Sequence, residues 1–285
     1  MDINCLKEEI VKKIVEYFNK KGICYNEDDT SFNKILQLWL ENCDKRIPIK
    51  PHKVLFSKEL QNKIYANELN DDIKELIYKF KDKFEAGENI NPYLSRNTLT
   101  NNVDYLLNLW RIHHLHLIDD NVENKQLSSR SGEYLLFIND IDTVYFLDQT
   151  KHLKKEEFAS KKFLEILKNN NWLGLVNISP AKDIISLSCE FNSDEEIYNL
   201  WKSNINLVAF KIGNDFYQTT NATTRASTNL KVQQEVMKLN KKLQQLSGRK
   251  DLSYSITEID EDKMEFNIFI YKENTTMCEI NIQGE

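Results

Sequence analysis

Apolar residues recur at helical spacing through the first third of the chain. Ile10, Ile14, Tyr17 and Phe18 define an amphipathic helix that ends at Lys21-Gly22. Ser31 precedes Ile35, Leu36, Trp39 and Leu40, which predicts a second helix stopping before Pro48 and Pro51. A third runs from about Ser57 through Leu60, Ile64 and Tyr65. A fourth begins at Asp71-Asp72, whose carboxylates suit a helix N-terminus, and carries Ile73, Leu76, Ile77 and Phe80. Residues 1–88 therefore read as a helical N-terminal domain for packing or docking. His52, set among prolines and lysines, reads as a surface residue, and the polar run Glu85 to Pro92 around Gly87 as a linker.

Beyond a short helix within Thr98 to Leu109, the period shortens to two. Arg111 to Ile118, Glu133 to Asn139 and Thr143 to Gln149 are rich in Leu, Ile, Phe, Tyr and Val and read as strands. Asn139-Asp140-Ile141-Asp142 is a hairpin connection and Asp119 to Ser129 a longer loop. Leu153 to Asn169 returns to a helix, closing a central α+β domain over 98–171. From 172 to 285 a C-terminal α+β domain is expected. Its strands fall at Trp172 to Asn177 and Ile184 to Cys189, its helices at Asp194 to Trp201 and Leu230 to Leu246. A last meander covers Tyr254 to Ile259, Phe266 to Tyr271 and Cys278 to Ile282. The fold class is α+β: a helical N-terminal unit, a small central antiparallel sheet with helices, and a C-terminal α+β unit.

Composition narrows the function classes. The 285 residues are 41% hydrophobic and 29% charged, the balance of a globular chain. The seven glycines form no G-x-G-x-x-G, G-x-x-x-x-G-K-[ST] or G-x-S-x-G pattern, which argues against dinucleotide, P-loop and α/β-hydrolase chemistry. The five cysteines are scattered and never spaced C-x-x-C, as expected of reduced thiols, and no apolar run approaches membrane-spanning length. A cytoplasmic protein without membrane contact is expected. The net charge of −6 gives no global attraction to nucleic acid but leaves room for a local basic site.

Candidate chemistry concentrates in one stretch. Of the five histidines, His113, His114 and His116 stand almost together, and His152 closes the segment that follows. Strand alternation puts His114 and His116 on one face, with Arg111 and His113 on the other. If the three runs form an antiparallel meander, Arg130, Ser131, His116 and His152 gather at one end of the sheet. Imidazoles move protons near neutral pH and a guanidinium stabilises an anionic transition state, a combination suited to phosphodiester cleavage. Two other readings compete. His114-x-His116 is also metal-ligand spacing, with Asp119, Asp120 or His152 as third ligand, and buried histidines also serve as structural hydrogen-bonding groups. Apart from this stretch, the hydroxyl-rich loop Thr219 to Thr228 offers Thr224 and Arg225 to a phosphate, or simply caps the helix after it.

The order RIHHLHL, RSGEYLLF, VYFLD and a terminal His152 resembles the core of the barnase–EndoU–colicin–RelE superfamily of metal-independent ribonucleases, with RelE-type toxins closest in layout. The same run also resembles a set of uncharacterised bacterial proteins. The resemblance covers roughly residues 98–170 and carries over to Arg111, His114 or His116, Arg130 and His152. It implies a cofactor-free endoribonuclease acting on RNA, of the kind used as a toxin or phage-defence effector and held by an antitoxin or other partner. RelE toxins are small and basic, whereas this chain is acidic and carries two further regions. The alternatives are a non-catalytic interaction protein of such a system and a metal-dependent hydrolase using the H-x-H pair.

Overall fold

The computed structural model describes residues 1–100, 102–120, 122, 127–151, 154, 156–184, 193–224 and 229–283. Helices α1 (Ile3–Lys21) and α2 (Phe32–Asp44) come first, followed by strand β1 (Lys53–Phe56) and helices α3 (Lys58–Tyr65) and α4 (Asp71–Ala86). Next come α5 (Tyr105–Trp110), β2 (His113–His116), β3 (Glu133–Asp140), β4 (Thr143–Lys151) and α6 (Lys161–Asn169). Then follow β5 (Ile178–Pro180), α7 (Asp194–Lys202), β6 (Ala209–Ile212) and β7 (Asp215–Thr219). The chain closes with α8 (Leu230–Leu246), β8 (Leu252–Ile256), β9 (Glu265–Lys272) and β10 (Thr275–Gln283). The fold is α+β. Among the described residues no helix is long and apolar enough to cross a membrane.

Two compact units interleave along the chain. One comprises Met1–Pro48, Arg96–Asn102 and Lys231–Glu285; the other comprises Ile49–Ser95 and Val103–Leu230. The expected borders near 88, 98 and 171 do not coincide with these. In the first unit, α1, α2 and α8 bury Ile10, Ile14, Leu36, Trp39, Val236 and Leu243 in one core with Phe266, Ile268 and Ile280 of the meander β8–β9–β10. The apolar face of α1 is thus completed by residues about 250 positions away, a pairing that helical periodicity cannot show. Asp2 accepts from the backbone N–H groups of Asn4 and Cys5, and Gly22 ends α1 in the left-handed conformation.

The second unit is built on a four-stranded sheet in the order β1-β4-β3-β2. β2, β3 and β4 form the expected antiparallel meander, and β1 adds to β4 in parallel. The hairpin between β3 and β4 turns at Ile141, which takes a φ of 40°. One sheet face packs on α5 and α6 through Leu136, Ile138, Leu147, Trp110 and Phe163. The opposite face packs Phe137 and Phe146 against Phe84 of α4, with ring centroids 5.4 and 5.7 Å apart. A smaller sheet, β5-β7-β6, completes this unit.

Several local expectations change here. Helices α3 and α4 belong with the central sheet, not with α1 and α2. Their caps are Ser57, accepting from Leu60 N–H, and Asn70, accepting from Ile73 N–H. Gly87 is no loose linker. It ends α4 at φ +73°, and an added Cβ would lie 2.7 Å from the Pro51 nitrogen. His52 is buried; its N–H donates to the Phe84 carbonyl at 2.9 Å. Trp172 to Asn177 is a 3₁₀ turn ending in left-handed Asn177, so the strand starts only at Ile178. The helix expected from Leu153 begins at Lys161, after a 3₁₀ turn over Glu156–Ala159. The strand expected over Ile184 to Cys189 falls almost wholly outside the described residues.

Candidate functional site

β2 and β3 position the histidines. Asp104 caps α5 by accepting from Leu107 N–H, and α5 ends when Arg111 turns into the left-handed region at φ 54°. β2 therefore starts at His113 rather than at Arg111. That corrects the placement of Arg111, which is a helix-capping residue at the opposite end of β2 from His116. Register sets the rest: His113 lies opposite Phe137, His114 opposite Leu136 and His116 opposite Tyr134.

The expected alternation holds. His113 stacks on Phe137, with centroids 5.3 Å apart and planes at 19°, on the face covered by α4. His114 and His116 occupy the other face and flank the Tyr134 ring at 5.3 and 4.8 Å. Phe158 closes on His114 at 5.6 Å. All three imidazoles are buried, at 8%, 8% and 4% exposure for His113, His114 and His116. His116 Nδ1 lies 3.1 Å from the Ser131 carbonyl. A carbonyl only accepts, so Nδ1 carries the proton, and in the neutral ring Nε2 is then the basic nitrogen.

Arg130 is exposed, at the start of the turn into β3. Burial pushes the Tyr134 phenol above its usual pKa, and the Arg130 charge pulls it the other way. The guanidinium is therefore felt at the ring that both imidazoles touch. Tyr134 stays a neutral donor at ordinary pH. Ser131 serves through its backbone, because its hydroxyl already donates to the Glu133 carbonyl at 2.7 Å. β4 ends at Lys151 opposite Glu133, so its C-terminal end lies at the His116 end of the sheet. His152 itself lies outside the described residues.

A second group completes this face. A register shift between Leu136 and Phe137 sets Asp148 opposite Leu136, in the same cross-strand row as His114 and about 10 Å away. The Asp148 side chain is fully buried and accepts from Lys63 Nζ at 2.6 Å and Lys162 Nζ at 2.8 Å. Gln149 N–H adds a third bond at 3.0 Å, and the Gln149 amide donates to Glu133. Neither Tyr134 nor Asp148 stood out in the sequence, although both lie in the runs GEYLLF and VYFLD; only the strand register brings them to the histidines.

The metal-ligand reading finds its carboxylates engaged elsewhere. Asp119 pairs with Lys79, and Asp120 accepts from Ser129 N–H at 2.7 Å. Among the described residues no three His, Cys, Asp or Glu side chains are grouped to hold a metal ion. The loop before α8 is tied down by amides. Asn206 accepts from Thr223 N–H at 2.8 Å and donates to its carbonyl at 2.9 Å, while Asn221 donates to the Leu109 and Val176 carbonyls. Thr224 follows this clamp, and Arg225 lies outside the described residues. No family model matches the chain, and no curated protein or solved structure matches it.

Proposed function

We propose that the second unit carries a metal-independent endoribonuclease site made by His116, Tyr134, Arg130 and His114. The observation that supports it best is that both imidazoles meet the Tyr134 ring edge to face, with the Arg130 charge acting on the same phenol. In such a site Arg130, the exposed member, meets the substrate phosphate and balances the charge of the phosphorane. His116, oriented by the Ser131 carbonyl, takes the proton of the attacking 2′-hydroxyl, and a second acid protonates the leaving 5′-oxygen. His114 and His152 are the candidates for that acid. An activity of this kind suits a toxin or phage-defence effector kept in check by a partner protein.

The burial of all three histidines favours a second reading, an interaction protein in which they are structural. One experiment separates the two. Purified full-length protein is incubated with RNA in excess chelator and the product ends are analysed. New 2′,3′-cyclic phosphate and 5′-hydroxyl ends, lost in His116→Ala, support the ribonuclease. Intact RNA supports the interaction protein, and cleavage only after adding a divalent metal returns the case to the H-x-H pair.

A further inference from the structure

In the first unit, β10 is the terminal strand of the β8–β9–β10 sheet. We infer that it is the contact strand of a symmetric dimer, pairing antiparallel with β10 of a second copy about an axis through Asn281.

The direction of the free backbone groups follows from the neighbouring strands. Thr257 N–H donates to the Asn267 carbonyl at 2.9 Å, and Asn267 N–H donates to the Thr257 hydroxyl at 2.9 Å. Asn267 thus faces β8, so its neighbours Phe266 and Ile268 face β10, opposite Ile282 and Ile280. By alternation, Glu279, Asn281 and Gln283 turn their N–H and C=O groups to the open edge. A contact made there agrees, a long 3.4 Å bond from Lys242 Nζ to the Glu279 carbonyl.

Open edges are normally guarded by lysine, proline, a bulge or a covering element. β10 itself has neither lysine nor proline, its irregularity lies between Thr276 and Cys278, ahead of the free stretch, and the lysine that reaches its edge, Lys242 of α8, holds only the Glu279 carbonyl. Beside that stretch runs a 220 Å³ groove of mixed lining, apolar at Leu36, Leu239, Ile280 and Ile282 and charged at Glu235, Lys238 and Lys242 of α8. A cavity of about 150 Å³ lined by aliphatic chains already holds a benzene ring, so this groove has room for the inward side chains of an added strand.

The strand is its own complement. Glu279 is the one charged residue in Thr275–Gln283. A two-fold axis at Glu279 would set the carboxylates against each other. An axis at Asn281 sets Glu279 of one copy opposite Gln283 of the other, Asn281 opposite Asn281, and Ile280 opposite Ile282. This register uses all three outward-facing residues, whereas an axis at Ile280 leaves Gln283 unused. The result is one six-stranded sheet with an isologous interface.

Sedimentation equilibrium of the full chain across a concentration series tests this. The wild type should dimerise. Gln283→Glu places two carboxylate pairs face to face and should weaken the dimer, while Gln283→Lys should tighten it, each by roughly 2- to 30-fold for two cross-strand contacts. Circular dichroism confirms that both variants fold. A monomer at every concentration overturns the inference. So does a dimer indifferent to both changes, or a monomer that takes up an unrelated extended peptide in the groove.

Discussion

The two faces of the central sheet hold histidines that are adjacent in sequence and similarly buried, yet differ in their surroundings. On the α4 face, His113 lies flat on Phe137, within an aromatic layer that includes Phe84 and Phe146. On the α6 face, His114 and His116 bracket Tyr134, His116 is held by the Ser131 carbonyl, and Arg130 and the Asp148–lysine group stand nearby. Burial does not separate the two sets. Their neighbours do: His113 lies among phenyl rings, whereas His114 and His116 lie beside the phenol and the guanidinium that the proposed proton transfer needs.

Arg130→Ala should break the contrast most strongly. It removes the exposed cation and should lower RNA cleavage by about 10²–10³-fold, with little change in melting temperature because the side chain is exposed. A single-turnover assay beside a thermal melt reads both. Next in size is His113→Ala, which empties a stacked position in the core and should cost about 2–4 kcal/mol by urea denaturation, with cleavage by the folded fraction unchanged. Gly87→Ala sharpens the picture of the α4 face. Its positive φ and the nearness of Pro51 should cost about 1–3 kcal/mol, and limited proteolysis should then reach Glu85 to Pro92, which resists in the wild type.

The smallest effect is electrostatic. Burial raises the Tyr134 pKa and Arg130 lowers it, so Arg130→Ala should move the Tyr134 titration further up, as followed by NMR of labelled tyrosine. The sign for stability follows. A phenol whose folded pKa is raised contributes fully below the unfolded value of about 10 and loses that contribution as pH climbs through its folded value. Alkaline stability should therefore drop over that interval. An unmoved Tyr134 titration would put Arg130 away from the site.

The sequence disclosed those parts of the fold that depend on local periodicity. The helices α1 to α4, the meander β2–β3–β4 and the opposite facing of His113 and His114 all follow from spacings of 3.6 and 2. β1 was hidden because Lys53–Phe56 is only four residues long and owes its strand conformation to pairing with β4. The union of α1 and α2 with the last meander was hidden because it rests on contacts such as those in the core of Ile14 and Ile268, far apart in sequence. In the site, alternation disclosed His114 and His116. Tyr134 depends on register and Asp148 on a register shift, and neither leaves a mark in a single strand's pattern. Arg111 misled because a helix cap and a strand start look alike beside an apolar run.

On the proposed reading, chemistry belongs to the His116 face of the sheet, and His113 on the other face takes no part in it. Cleavage rates of His116→Phe and His113→Phe, each conserving an aromatic ring, compare the faces directly. His116→Phe should lose about 10²–10⁴-fold, and His113→Phe should keep a near wild-type rate. Equal rates in the two variants, or a loss confined to His113→Phe, would contradict it.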